Sequence, residues 1–439
     1  MEKQQLEALV ENLLGEAKKQ GATAAEADVS IVTGVSVTVR KGDVETVEHN
    51  KDRGLGVTVY VGQRKGSAST SDFSQQAIKE TVAAACGIAK YTRDDEYAGL
   101  ADASLMAHNY PELDLCHPWN VDAEEAIDLG KTCEAAACEE DQRITNTDGA
   151  SVSSHQGVRV YGNSHGFIGS YDTSRHSVSC TVIAQQGEDM QRDYWYSVNR
   201  KHDQLEAVEQ IGRLAAQRAV RRLGGRQVKT GKVPVLYSAE IASSLVSHFI
   251  SAIRGEALYR KTSFLVDSLG EKIFPEFIAM SEQPHLKQGL GSAPFDGEGV
   301  KTQARDLVKA GVVEGYVLSA YSARRLNMTS TGNAGGVRNL SVSHSNKTFD
   351  ELVKQMGTGL IVTELMGHGV NATTGGYSRG ASGFWVENGE ICYPVEEITV
   401  AGNLKDMYQG IVAVGSDIDQ RKNVQTGSIL INQMMVAGA

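Results

Sequence analysis

Leu6, Leu9, Val10, Leu13, Leu14 and Ala17 recur at three- and four-residue spacing with polar residues between them. That period marks one face of an amphipathic helix, and Gly21 is placed to end it. Residues 27–32, 35–40, 56–61 and 66–70 then alternate apolar and polar side chains, the two-residue period of strands, with the intervening glycines read as turns. Ser74 is positioned to cap a second helix running to about Ala89. Residues 1–91 therefore read as a small unit of helix, strands and helix. Residues 94–118 carry neither period and read as a linker.

Asp122 and Glu125 have capping-box spacing and predict a helix to about Glu139. Short alternating segments broken by Gly and Asn follow between residues 143 and 186, the pattern of β-hairpins. Asp203 and Glu206 suggest another box, opening a helix with Leu205, Val208, Ile211, Ala215 and Ala219 on one face. Gly224 and Gly225 stop it. Residues 118–226 thus form a middle segment of helices and hairpins. From Lys232 onward the chain predicts a strand at 233–237 and a helix capped by Ser238 that carries Ile241, Leu245, Phe249 and Ile253. Short glycine-bounded strands follow, with one helix capped by Thr348 and Glu351. The expected fold class is α+β: an N-terminal α/β domain followed by a β-rich, largely antiparallel C-terminal domain over residues 232–439.

Composition narrows the function classes. The 439 residues, 41% hydrophobic and 22% charged, fit two or three globular domains at about 150 residues each. A net charge of -11 repels phosphate and disfavours direct nucleic-acid binding. Arg213, Arg218, Arg221, Arg222 and Arg226 form the one basic cluster that stands out, and its place near a helix end accounts for it. Glu2, Glu7, Glu11 and Glu16 break up the first segment, so a secretory signal is not expected there, and no apolar run reaches the roughly 20 residues of a membrane span. The 6 cysteines contain no CxxC pair, which predicts reduced thiols and a cytoplasmic protein.

Motifs for self-contained catalysis are incomplete. Metal hydrolysis needs three or more ligands and an open position, and no His-Glu-x-x-His helix motif occurs. His248 has no second His or carboxylate one turn away, and Glu364 with His368 is disrupted by Gly367 and Gly369. Gly376-Tyr377-Ser378-Arg379-Gly380 matches G-x-S-x-G. The alternating stretch after it and the Asn388-Gly389 turn predict a hairpin instead of a nucleophile elbow. No phosphate loop is present.

Three long runs carry a resemblance. RGEALYRKTSFLVDSLGEKIFP (residues 254–275), STGNAGG (330–336) and the stretch 356–407, including TELMGHGVNATTGGYSRGASGFWVENGEICYP, resemble the PmbA (TldE) branch of the TldD/PmbA metalloprotease family. The resemblance extends nearly the whole length. It implies a bacterial cytosolic zinc protease built from a TldD-type and a PmbA-type subunit, which degrades or matures small unfolded peptides such as antitoxins and peptide-antibiotic precursors. Older naming calls such proteins modulators of DNA gyrase.

The departures from the family pattern decide this chain's expected role. TldD-type chains carry His-Glu-x-x-x-His on a helix and a zinc cysteine near the C-terminus. Those positions fall here on Ser247, His248 and Ala252, and on Thr426. With all three ligands replaced, the resemblance implies no zinc in this chain and zinc in the TldD-type partner. His248, Arg260, Ser378 and Arg379 are the residues expected to face a shared peptide cavity. No residue is assigned a catalytic role. A heterodimer with a TldD-type subunit is the expected assembly, acting on unfolded peptides, with no membrane and no direct nucleic-acid contact. The alternatives are a stand-alone peptide-binding or regulatory homodimer of the gyrase-modulator type, and a serine hydrolase using Ser378.

Overall fold

The structure, a computed structural model, describes residues 2–438. The first half runs α1 (Lys3–Lys19), β1 (Ala24–Arg40), β2 (Asp43–Val61), β3 (Arg64–Thr70), α2 (Gln75–Tyr91), α3 (Ala123–Glu140), β4 (Ile144–Asn163), β5 (Ile168–Gln186), β6 (Asp189–Asn199) and α4 (Val208–Val220). The six strands make one antiparallel sheet in the order β3-β2-β1-β4-β5-β6. β1 pairs with β4 from Glu26 opposite Asn163 to Val39 opposite Ala150. Residues 1–91 and residues 118–226 therefore contribute three strands each to a single sheet. α1 and α2 pack in one apolar cluster with Val29, Leu55 and Val57, and α3 and α4 in another with Val37, Val152 and Val178.

Two local expectations need correction. The segments 27–32 and 35–40 are one strand, because Gly34 is a crossing point, not a turn. A Cβ there would lie 2.4 Å from the Ser154 carbonyl oxygen of β4. The pairing of β1 with β4 joins residues more than a hundred apart, so a local pattern cannot report it. The helix expected from Asp203 begins at Val208. Asp203 lies in a short 3-10 turn, and the Glu206 carboxylate accepts a hydrogen bond from Trp195 Nε1 at 3.0 Å instead of capping. Ser74, Asp122 and Thr348 cap as expected, each accepting from the backbone three residues on, whereas Ser238 stands at the N-cap of α5 with its Oγ buried and unpartnered.

Residues 94–118 are not a free spacer. Ala101, Met106, Leu113 and Leu115 are buried, and the Arg324 guanidinium donates to the carbonyls of Tyr97, Gly99 and Leu100.

The second half contains β7 (Gly231–Tyr237), α5 (Ala239–Ala252), α6 (Gly255–Tyr259), β8 (Met280–Glu282), β9 (Arg305–Lys309), β10 (Val312–Val313), α7 (Ala320–Arg325) and β11 (Leu340–Val342). After these come α8 (Phe349–Met356), β12 (Gly359–Met366), β13 (Gly376–Glu387), β14 (Glu390–Asn403), α9 (Leu404–Gln409), β15 (Ile411–Val414), β16 (Val424–Gln425) and β17 (Ile429–Ala437). The order β14-β13-β12-β7-β17 closes on itself because β14 also pairs with β17, which gives a β-barrel with β15 at its side. Only β12 with β7 runs parallel in that ring. A second sheet, β10-β9-β8-β11-β16, flanks it. The fold is α+β with a largely antiparallel C-terminal half, as the sequence predicts. Phe249 of α5 meets Phe274 at 5.0 Å between ring centroids, and Phe274 meets Tyr408 at 4.9 Å, filling the space beside the ring. The fully buried Tyr408 hydroxyl donates to the Leu245 carbonyl, so its burial leaves no polar group unpaired. Among the described residues, no helix is long and apolar enough to cross a membrane. All six cysteines are unpaired.

Phe295 locks the two halves together. Its ring lies 5.4–5.5 Å from Tyr171, Phe167 and Tyr110. Glu298 sits beside this joint and accepts from the Ala320 backbone amide at 2.7 Å. Burial, with the charges of Asp296 and Glu26 adding to it, pushes the Glu298 carboxyl up to about 7. The folded chain thus keeps a proton that the unfolded chain releases near 4.5. Its contribution to stability is full below that value and is lost as pH rises through 7. Buried His176, part-buried His248 and exposed His285, whose pKa values desolvation lowers, act with the opposite sign, favouring the folded state as pH rises through the ordinary imidazole range. Comparison with Glu298→Gln therefore isolates the carboxyl. Between pH 5 and pH 8 the wild type should lose about 2 kcal/mol relative to the variant in chemical denaturation. Parallel pH profiles of the two proteins would contradict this.

Candidate functional site

α5 forms the floor of the region where the family motif falls. Leu245, Val246, Phe249 and Ile250 turn one face of it into the core. Ser247 points to solvent, and its Oγ donates to the Ser243 carbonyl at 2.8 Å. Ala252 is buried at the helix end, where its carbonyl accepts from Ser263 Oγ at 2.6 Å. Thr426 follows β16, fully buried, with Oγ1 donating to the Gly427 carbonyl at 3.1 Å. A Cβ on Gly427 would meet the Gly415 carbonyl oxygen at 2.0 Å, so this loop can pass only as glycine. Zinc requires at least three thiolate, imidazole or carboxylate donors. Of these four positions only His248 offers one. Among the described residues no group of three His, Cys, Asp or Glu is placed to hold a metal. The side chains present do not fit the zinc site that the family pattern implies.

His248 is nonetheless in an unusual setting. Its Nε2 is buried without a hydrogen-bond partner, and its ring stands edge-on to Tyr377 at 6.2 Å. Desolvation, followed by the Arg379 charge, lowers its pKa and favours the neutral imidazole. Tyr377 Oη in turn lies 3.4 Å from Tyr237 Oη, and burial raises both phenols while Arg379 opposes the rise. Strand alternation puts Tyr377 and Arg379 on one side of β13. The structure therefore brings His248 and Arg379 together with two tyrosines.

The other two candidate residues lie apart from this group. Ser378 is exposed on the opposite side of β13, and its amide donates to the Gly369 carbonyl at 2.7 Å. β13 runs on through Glu387 and turns at Asn388 and Gly389, both at positive φ. That is a strand and hairpin, without the strand-to-helix turn that a serine nucleophile elbow requires. Arg260 is exposed at the end of α6, and its Nε donates to Tyr259 Oη at 3.2 Å.

A larger site lies at the other end of α5. A pocket of ≈ 730 Å³ opens between β6, α4, the first turn of α5 and the barrel strands. Phe349, Ile361, Phe384 and Ile418 supply its apolar wall. Its rim is a chain of ion pairs: Arg218 lies 3.2 Å from Asp193 and 2.8 Å from Glu240, and Arg421 lies 2.8 Å from Asp419. Arg218 and Arg421 both stack on Trp195, at 5.1 and 4.0 Å. Arg221 covers Phe384 at 5.1 Å and Arg226 covers Tyr393 at 3.7 Å. Arg222 pairs with Asp193 and Glu364, and Arg213 with Glu140. Arg218 and Arg222 are thus held by carboxylates, whereas Arg221 and Arg226 cover aromatic rings and stay exposed. Sequence reading passed over Trp195, Glu240 and Arg421. One signal was available: Asp193 sits at an inward position of an alternating strand, and a buried carboxylate needs a cation.

Comparison with known proteins fits this architecture. Residues 25–89 match domain 1 of the PmbA/TldA metallopeptidases, residues 116–223 the central domain and residues 230–438 the C-terminal domain. Metalloprotease PmbA of Escherichia coli O157:H7 is 52% identical over 414 residues, covering 94% of this chain and 92% of the relative. The chain belongs to the TldD/PmbA metallopeptidase family. A solved structure from Bacteroides thetaiotaomicron, described as a proposed modulator of DNA gyrase, superposes with a TM-score of 0.94 at 28% identity over 100% of both chains. TldE of Thermococcus kodakarensis shares the fold, with a TM-score of 0.84 at 21% identity, covering 98% of this chain and 100% of that one. This chain carries no His-Glu-x-x-x-His motif on α5.

Proposed function

We propose that this chain is the zinc-free subunit of a two-chain cytoplasmic peptidase, and that a TldD-type partner carries the metal. The observation that supports this best is the donor set of α5 and the loop after β16. Ser247, Ala252 and Thr426 offer no zinc ligand, and their polar groups are engaged with their own backbone or absent. Without a metal to polarise the scissile carbonyl and generate hydroxide, the remaining side chains have no route to peptide hydrolysis of that type. The chain's part is to complete the chamber and hold unfolded peptide. The ≈ 730 Å³ pocket suits that work, with an apolar wall for a side chain and charged groups at its rim for the peptide main chain.

The test is cleavage of a short unstructured peptide by this chain, by a TldD-type partner, and by the two mixed. The mixture should exceed this chain alone by at least roughly 10³-fold, and a chelator should abolish the difference. Chelator-sensitive cleavage by this chain alone would overturn the proposal.

A further inference from the structure

A second cavity, of ≈ 450 Å³, lies where β1, β4 and β5 meet the loops around residues 290–293 and 335–338. Arg175, Arg200, Arg338 and His155 line it, and no Asp or Glu does. That is unexpected in a chain with 54 acidic and 43 basic residues. It also differs from the setting of four other sheltered arginines. Arg218, Arg222, Arg305 and Arg421 each lie against a carboxylate.

Each guanidinium of the cavity is held in place differently. Arg200 is buried and donates to the carbonyls of Leu115, Ser174, Gly289 and Leu290 at 3.1–3.3 Å. Its geometry is fixed, yet none of those partners is charged. Burial, and then the nearby Arg175 charge, lowers its pKa. Arg338 Nε is buried with no hydrogen-bond partner. Arg175 is exposed at the mouth, and among the described residues no carboxylate pairs with it. The cavity thus holds a fixed positive charge, an unsatisfied N–H and a free guanidinium, the donor set that grips a carboxylate by paired hydrogen bonds. Gly335 lies in its wall with no atom nearer than 3.8 Å to where a Cβ would stand, which leaves room for a peptide main chain.

We propose that this pocket binds a carboxylate of an extended peptide, supplied by its C-terminus or by an acidic side chain. The inference rests on the peptide-handling reading above and adds what the pocket selects.

The experiment uses the full chain and three fluorescently labelled pentapeptides built from glycine, serine and alanine. One ends in a free carboxylate, one in an amide, and one in an amide with a single internal aspartate. Fluorescence anisotropy should show at least one acidic probe binding about ten-fold or more tighter than the neutral amide. Which acidic probe gains identifies the source of the carboxylate. Arg175→Gln should erase the preference. Arg175 is exposed and holds nothing else in place, so this variant folds; Arg338→Gln is the second variant and should act the same way. Equal affinity for all three probes overturns the inference, as does a preference that survives Arg175→Gln, or displacement of the acidic probe by inorganic phosphate at matching affinity. In each case the cleavage experiment still judges the peptidase reading on its own.

Discussion

Arg218→Ala will destabilise the chain by about 3 kcal/mol in urea denaturation, with an unchanged slope. The side chain is 14% exposed and bridges Asp193, 6% exposed, to Glu240, 24% exposed. Its guanidinium also covers the Trp195 ring. Removing it leaves the Asp193 carboxylate out of water with Arg222 as its only remaining cation, at 3.7 Å. Breaking a buried pair costs about 3–5 kcal/mol when one charge is stranded, and Arg222 keeps the loss toward the lower figure. Arg218→Met separates the two contributions: it keeps the packing on Trp195 and still strands Asp193, so it should recover little. The exposed pair of Arg143 with Asp141, at 44% and 27% exposure, is the control. Arg143→Ala should change stability by no more than about 1 kcal/mol. Equal effects of Arg218→Ala and Arg143→Ala would show that the rim of the large pocket is an ordinary surface network.

The contrast between those two pairs also marks what the sequence made legible. Elements that announce themselves within four residues were readable. Ser74, Asp122 and Thr348 begin helices where their side chains reach a backbone amide one turn on, and Leu6 to Ala17 face one core. Long-range pairing was not. Gly34, Gly149 and Gly157 looked like turns but mark the places where β1 and β4 press together, with Cβ positions 2.4–3.0 Å from facing backbone oxygens. The failed cap at Asp203 has the same origin, because Glu206 is taken by Trp195 on another element.

At the candidate site, the missing ligand types at Ser247, Ala252 and Thr426 could be read directly once the family pattern was aligned. The meeting of His248 with Arg379 and Tyr377 is a property of barrel closure, which no local spacing encodes. The large pocket draws its wall from β6, α4, α5, α8, the barrel strands and the loop around Asp419, six stretches spread over residues 195–428. The cationic cavity is assembled from equally distant segments. Its arginines were invisible as a group because the chain as a whole is acidic.

Zinc affinity is set by donor number and geometry, and a protein site that offers one imidazole in place of two imidazoles and a thiolate loses nearly all of it. Metal content is therefore the most direct measurement: elemental analysis by mass spectrometry of the purified chain, of a TldD-type partner and of their complex. The chain alone should hold no more than about 0.1 zinc per molecule, and the complex about one per partner subunit. About one tightly held zinc in the isolated chain, whose removal stops peptide cleavage, would contradict the assignment of the metal to the partner.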